Sequence, residues 1–235
     1  MLKVHEFLPA STVMAVAGKV KLPESIEREV DGLWQAEQKR RGRAIFNGWL
    51  LSAIESSSNR IVGRVVEYRH LIAQRARPEL YDVLQVRPVA VSGLLECADG
   101  VVFGRRGDAV TQDPGLWELV PSGGLDASKV GAGPINYLAQ ILTELHEEVG
   151  IGADSVSSVV PFCLVEGLES HVLDIGIAMA SPLAADALVR LQRAVVSTEY
   201  EELRVVARGD LAEFMSREAS ELAEVSVALM ARFLA

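Results

Sequence analysis

The chain has 235 residues, 49% hydrophobic and 23% charged, an ordinary composition for a soluble globular protein with enough apolar residues for a real core. A net charge of −9 and a pI near 5.0 argue against a nucleic-acid surface, which needs concentrated Lys and Arg. No run approaches the roughly 20 apolar residues of a membrane span, and the N-terminus lacks the basic-then-apolar order of a secretory signal, so a cytoplasmic location is expected.

Residues 23–42 open with Pro and acids and carry Ile26, Val30, Leu33 and Trp34 at helical spacing. They close on cations and Gly42, which predicts a helix. The basic cluster at its end, Lys39 to Arg43, reads as a solvated helix end. Residues 44–54 and 60–73 read as two strands around a polar tip, the second running toward a helix. Residues 76–88 hold two prolines and read as a connector. The domain division expected there separates a small α/β N-terminal domain, residues 1–85, from a second domain, residues 86–235.

Residues 89–97 and 100–106 flank Ala98-Asp99-Gly100, a hairpin signal with Asp-Gly turn chemistry. A loop rich in Gly, Asp and Pro follows, then WELVPSGGLD. From Asn136 the pattern turns helical, with Leu138, Leu142, Leu145 and Val149 forming one apolar stripe. Two apolar strands are predicted at 156–167 and 171–180, a helix at 184–194, a strand at 203–207 and an amphipathic helix at 220–234. Leu222, Val225, Leu229 and Phe233 line one face of that last helix, to be covered by its own domain or by a second copy, so the chain is expected as a monomer or a homodimer. This order of elements gives an α/β or α+β sandwich. Cys97 and Cys163 sit far apart in apolar runs and read as reduced core residues. His5, His70, His146 and His171 form no ligand pattern.

In TELHEEVGI, residues 143–151, Glu144, Glu147 and Glu148 fall at i, i+3 and i+4 and project near one another, facing outward beside the apolar stripe. Clustered carboxylates repel unless something positive relieves them. A divalent cation is the simplest relief, and Mg²⁺ keeps waters that leave room for a phosphate ligand. For the triplet alone, a solvated Glu-rich helix with a glycine cap is the better explanation. The preceding glycine turn, the flanking strands and the E-E-x-G-hydrophobic order tip the reading toward a metal.

This segment resembles the Nudix box of the Nudix hydrolases: Gly, five residues, Glu, seven residues, then R-E-U-x-E-E-x-G-U, with U a bulky aliphatic. Seven of its nine defined positions are matched, by Gly123, Glu144, Leu145, Glu147, Glu148, Gly150 and Ile151. Asp126 stands where an acid is common. Two departures bear on turnover. The stretch from Gly123 to Glu144 is about six residues long in excess, which leaves Lys129 in place of the first Glu, and Thr143 replaces an Arg whose forked contacts orient the carboxylates.

The resemblance implies a Nudix-type α/β/α sandwich with a mixed sheet, and hydrolysis of a nucleoside diphosphate linked to a group X, with Mg²⁺ or Mn²⁺ as cofactor. It implies Glu144, Glu147 and Glu148 as catalytic metal ligands, joined by the carbonyl of Ser122, with Gly123 and Gly124 as the substrate-facing turn. Arg105 and Arg106 are candidates for the substrate phosphates. The general base is Glu144 or one of Glu199, Glu201 and Glu202; Trp117 reads as a core or turn residue, with stacking on a base as the alternative, and Tyr68 and Arg69 are candidates to reach the site from the N-terminal domain. The order LWQAEQKRRGRAIFNGWLL, then GRVVEYRHLIAQ, ahead of this core resembles the Nudix enzymes that carry an N-terminal α/β extension and split UDP-sugars. The alternative is a catalytically weak or inactive Nudix-fold module that senses a nucleotide.

Overall fold

The structure, a computed structural model of the chain, describes residues 1–16, 18, 20–42, 45–108, 110, 112–128, 131–197 and 199–235. Lys129 and the Arg43 end of the basic cluster lie outside the described residues. Two strands open the chain, β1 (Leu2–Glu6) and β2 (Thr12–Val16), followed by helix α1 (Glu24–Arg41), which Gly42 ends in a left-handed conformation. Then come β3 (Trp49–Ser56), β4 (Arg60–Glu67), α2 (Tyr68–Ala76) and, after a 3₁₀ turn, the short α3 (Tyr81–Leu84).

The second half brings β5 (Val89–Cys97), β6 (Gly100–Arg106), β7 (Trp117–Leu119), β8 (Ser122–Gly124), β9 (Gly133–Ile135) and α4 (Tyr137–Glu144). It ends with β10 (Ser158–Gly167), β11 (Leu173–Ala180), α5 (Ala185–Gln192), β12 (Tyr200–Val206), α6 (Leu211–Arg217) and α7 (Glu224–Leu234). No helix is long and apolar enough to cross a membrane among the described residues.

One mixed sheet runs in the order β1-β10-β11-β5-β6-β12, with β11 and β5 parallel. The strand period of two sends Leu173, Ile175 and Ile177 to the face covered by α4 and α5. Cys163, Val165 and Leu94 go to the face covered by α6 and α7. The apolar face of α7 thus lies on its own sheet, with Leu229 buried; Leu222, expected on that helix, is buried just ahead of it. Cys97 and Cys163 are buried free thiols, and burial pushes Cys163 up to about 12.

The division expected at residues 85 and 86 is crossed by strands in both directions. β1 joins the large sheet beside β10. The second sheet, β3-β4-β2-β9, takes its last strand from the stretch between Gly123 and Glu144. Both sheets therefore draw strands from residues 1–85 and from residues 86–235. The extra length of that stretch has a structural use, since it supplies the strand that pairs with β2 and delivers the chain to α4. There the Tyr137 hydroxyl donates to the Ser11 carbonyl at 3.1 Å, and its ring packs edge-on to Phe7.

Candidate functional site

β5 and β6 form a hairpin that pairs only at its closed end, Glu96 with Val101 and Cys97 with Gly100. Beyond that the strands part, β8 pairing with β5 and β7 with β6. The parting opens a cavity of about 620 Å³. The acidic helix closes one side of it. Asn136 caps α4 by accepting from the Ala139 amide at 3.0 Å, and Tyr137, Ile141, Leu145 and Val149 anchor it at four-residue spacing. Leu138 and Leu142, expected within the buried stripe, lie at its half-buried flank. The last turn, Leu145–Val149, widens to a π-helix before Gly150 (φ 79°) stops it.

That turn changes where the acids point. The expectation that all three face outward is corrected: Glu148 is 6% exposed, Glu144 is half-buried and Glu147 is exposed. Glu148 turns inward because the Ser122 amide donates to it at 3.1 Å. Burial, then the neighbouring Glu144, push its carboxyl well above the usual range, against the pull of that amide. Burial likewise raises Glu144 to about 7, opposed by a 2.7 Å bond from the Gln140 side chain and reinforced by Glu147, Glu199 and Asp126. Gly123 is glycine for a steric reason: a Cβ there would lie 2.8 Å from the Glu144 Cγ and closer still to its carboxyl.

The remaining expected residues divide. Ser122, Gly123 and Gly124 line the cavity with Glu144 and Glu148. Glu147 joins Glu144, Glu148 and Glu199 around an adjoining groove of about 410 Å³. Arg106 also lines the cavity, but its guanidinium is buried between Glu118 and Glu199, which outweigh the cost of burial and hold its charge. It is thus committed to carboxylates rather than free for a phosphate. Arg105, one residue earlier on the strand, points to the other face, beside the Trp117 ring, and does not line the cavity.

Trp117 is buried in the core on that far face, with the Arg204 guanidinium 4.2 Å from its ring centre. Tyr68 lines the cavity, whereas Arg69 is taken up by Glu67, Asp31 and Glu27. Of the three downstream acids only Glu199 borders the cavity, its rim position fixed by Arg106 at 2.8 Å. Glu201 and Glu202 are exposed on β12.

Glu118 was not singled out from sequence, yet it is the hub of the polar network. One of its oxygens accepts from Arg106, from the Ser122 hydroxyl at 2.9 Å and from the Tyr200 hydroxyl at 2.9 Å. Burial raises its carboxyl in spite of these partners. The signal was an acid between Trp117 and Leu119, which in a core strand needs a reason.

No three His, Cys, Asp or Glu side chains converge on one point among the described residues. The donor set nonetheless suits a hard divalent cation. It consists of carboxylates raised by burial and mutual repulsion, beside a main-chain turn stripped of side chains, with one buried cation, Arg106, among them.

No family model and no curated relative matches the chain. Among solved structures, DR0079 from Deinococcus radiodurans is similar at 12% identity over 79% of this chain and 99% of that one, with a TM-score of 0.50. The NUDIX domain of Shewanella oneidensis NrtR, complexed with ADP ribose, aligns at 13% identity over 66% and 95%, TM-score 0.45. The MutT protein from Methanosarcina mazei Go1 aligns at 21% identity over 62% and 91%, TM-score 0.39. At such identities the first likeness speaks to fold alone. With its mixed sheet between helical layers, the chain shares the fold of DR0079.

Proposed function

We propose that the protein is a divalent-metal-dependent pyrophosphohydrolase acting on a nucleoside diphosphate linked to another group, nucleotide sugars included. The observation that carries this reading is the pair Glu144, half-buried, and Glu148, buried, set against the Ser122–Gly123 turn, with burial raising both carboxyls. Glu148, Glu144 and Glu147 would hold Mg²⁺ or Mn²⁺, with the Ser122 carbonyl as a further donor. When bound, such an ion polarises a pyrophosphate and lowers the pKa of an attacking water.

The chain's own residues do the rest. Gly123 lets the main chain approach the Glu144 carboxylate, and Gly124 leaves the cavity wall open to substrate. Glu199, tethered by Arg106, is the acid at the rim best placed to take a proton from water. Glu118 fixes Arg106, Ser122 and Tyr200 and so holds the floor rigid.

Purified protein offered nucleotide sugars, dinucleotides and ADP-ribose with Mg²⁺ should release a nucleoside monophosphate, and Glu148→Gln should abolish that release. Thr143 supports a second reading. Its hydroxyl is spent on the Ala139 carbonyl of its own helix at 3.0 Å, so nothing at that position orients the carboxylates. Nucleotide binding without product would favour this sensor module over the hydrolase.

A further inference from the structure

At the end of the cavity away from α4 stands an acid the Nudix box does not include. Asp174 lies inside β11, in the run Leu-Asp-Ile-Gly-Ile, and is 8% exposed. Strand alternation turns it away from Leu173 and Ile175 and toward the α7 side, where it lines the cavity. The Ser92 hydroxyl donates to one of its oxygens at 3.1 Å. The other oxygen accepts no bond from the protein and is open to the cavity, and no Lys or Arg pairs with Asp174, among the described residues. The charged groups acting on it, Glu118 and Asp113, repel it, and burial raises its carboxyl to about 7. A buried acid without a cation destabilises the fold, so its partner is to be sought in whatever fills the cavity.

The surroundings describe that occupant. Tyr68 and Leu71 of α2, Val172 and Val225 offer aromatic and aliphatic walls. Tyr68 is braced edge-on by Trp34, and a 3.2 Å bond from Arg75 to Gln112 spans the rim. Ser92 is the register partner of Ser122 on β8, so the polar floor continues to the Glu148 end. In register Asp174 lies abreast of Ala90 and Gly124, two strand spacings or about 10 Å from the glycine turn, a span that a nucleotide would bridge with its base at the Asp174 end.

We propose that Asp174, held by Ser92, is the specificity-determining acceptor of a nucleobase subsite, selecting bases with a ring N–H, as in guanine and uracil. An ionised carboxylate only accepts hydrogen bonds. Guanine N1–H and uracil N3–H complement it, whereas adenine N1 and cytosine N3 turn a lone pair toward it. This assignment rests on the diphosphate reading above.

The test is calorimetric titration at pH 8 with Mg²⁺, using the α,β-methylene analogues of GDP, UDP, ADP and CDP, and methylenediphosphonate as a probe without a base. The wild type should bind the guanine and uracil analogues at least about tenfold more tightly than the other two. Asp174→Leu should erase that difference while methylenediphosphonate binding changes less than about twofold. Asp174→Asn, which keeps size and polarity, should also erase most of it and serves if the leucine variant fails to fold. Absence of a base preference in the wild type, a preference that survives both variants, or equal loss of methylenediphosphonate binding overturns the subsite alone. A wild type that binds neither the nucleotides nor methylenediphosphonate overturns the diphosphate reading, and the subsite falls with it.

Discussion

Replacing Gly123 by alanine tests the close approach on which the candidate site is built. The added methyl would lie 2.8 Å from the Glu144 Cγ and nearer to its carboxyl, where ordinary contact begins near 3.4 Å. The carboxyl must therefore retreat by roughly 1 Å, and a misplacement of that size costs about a hundredfold in kcat. The fold suffers less, because the obstacle is the free end of a side chain. Losing the Gln140–Glu144 bond costs about 1 kcal/mol, which lowers the melting temperature by about 2–4 °C in a chain of this size. Steady-state hydrolysis and a thermal melt on the same preparation separate the two effects. Gly124→Ala, where nothing lies within 4 Å of the new methyl, is the stability control and should melt like the wild type. Wild-type kcat in Gly123→Ala would refute the reasoning, because Glu144 would then have no need of its present position.

Other perturbations have equally definite outcomes. Arg106→Met strands Glu118 in the core and frees Glu199, and denaturant unfolding should show a loss of about 3–5 kcal/mol at pH 7. That loss should shrink as the pH falls and Glu118 takes up a proton. Asp174 carries a folded-state value of about 7 against an ordinary 3.8, so the native state binds the extra proton between these values. Stability attributable to it is greatest below about pH 4, declines as the pH rises to about 7 and is then level. Asp174→Asn should consequently be more stable than the wild type at pH 8, by up to about 4 kcal/mol, with the gain vanishing near pH 4. A gain that persists at pH 4 would show packing rather than ionisation as its source. Both thiols should resist iodoacetamide in the native protein and react on unfolding, since Cys97 and Cys163 are buried and burial holds the Cys163 thiol protonated.

Local patterns were legible in the sequence wherever one short segment sufficed to produce them. The Ala98–Asp99 turn gave β5 and β6 with their observed ends, and Gly42 and Gly150 stop their helices as their positions suggested. The acidic turn and the glycine turn were both visible as motifs. Their meeting depends on Gly123 lacking a side chain. Features that need two distant segments stayed hidden. Nothing in residues 2–6 announces that they pair with β10, and nothing in Gly133–Ile135 announces a partner in β2. The π-turn that sends Glu148 inward depends on an amide 26 residues away. Arg105 and Arg106 looked equivalent as a dipeptide, although period-two alternation had to part them. Glu118 and Asp174 did carry a signal, since each is a lone acid in an apolar strand, but only the cavity between the parted strands explains both.

The interlacing of the two sheets has a consequence for how the molecule comes apart. Its first strand is sewn into the far sheet, while a strand from the middle of the signature is sewn into the near one. Neither half can be peeled away without opening a hydrogen-bonded edge on the other. The whole chain should therefore melt in one step, and trimming the first eighty-odd residues should yield aggregate rather than a smaller working protein.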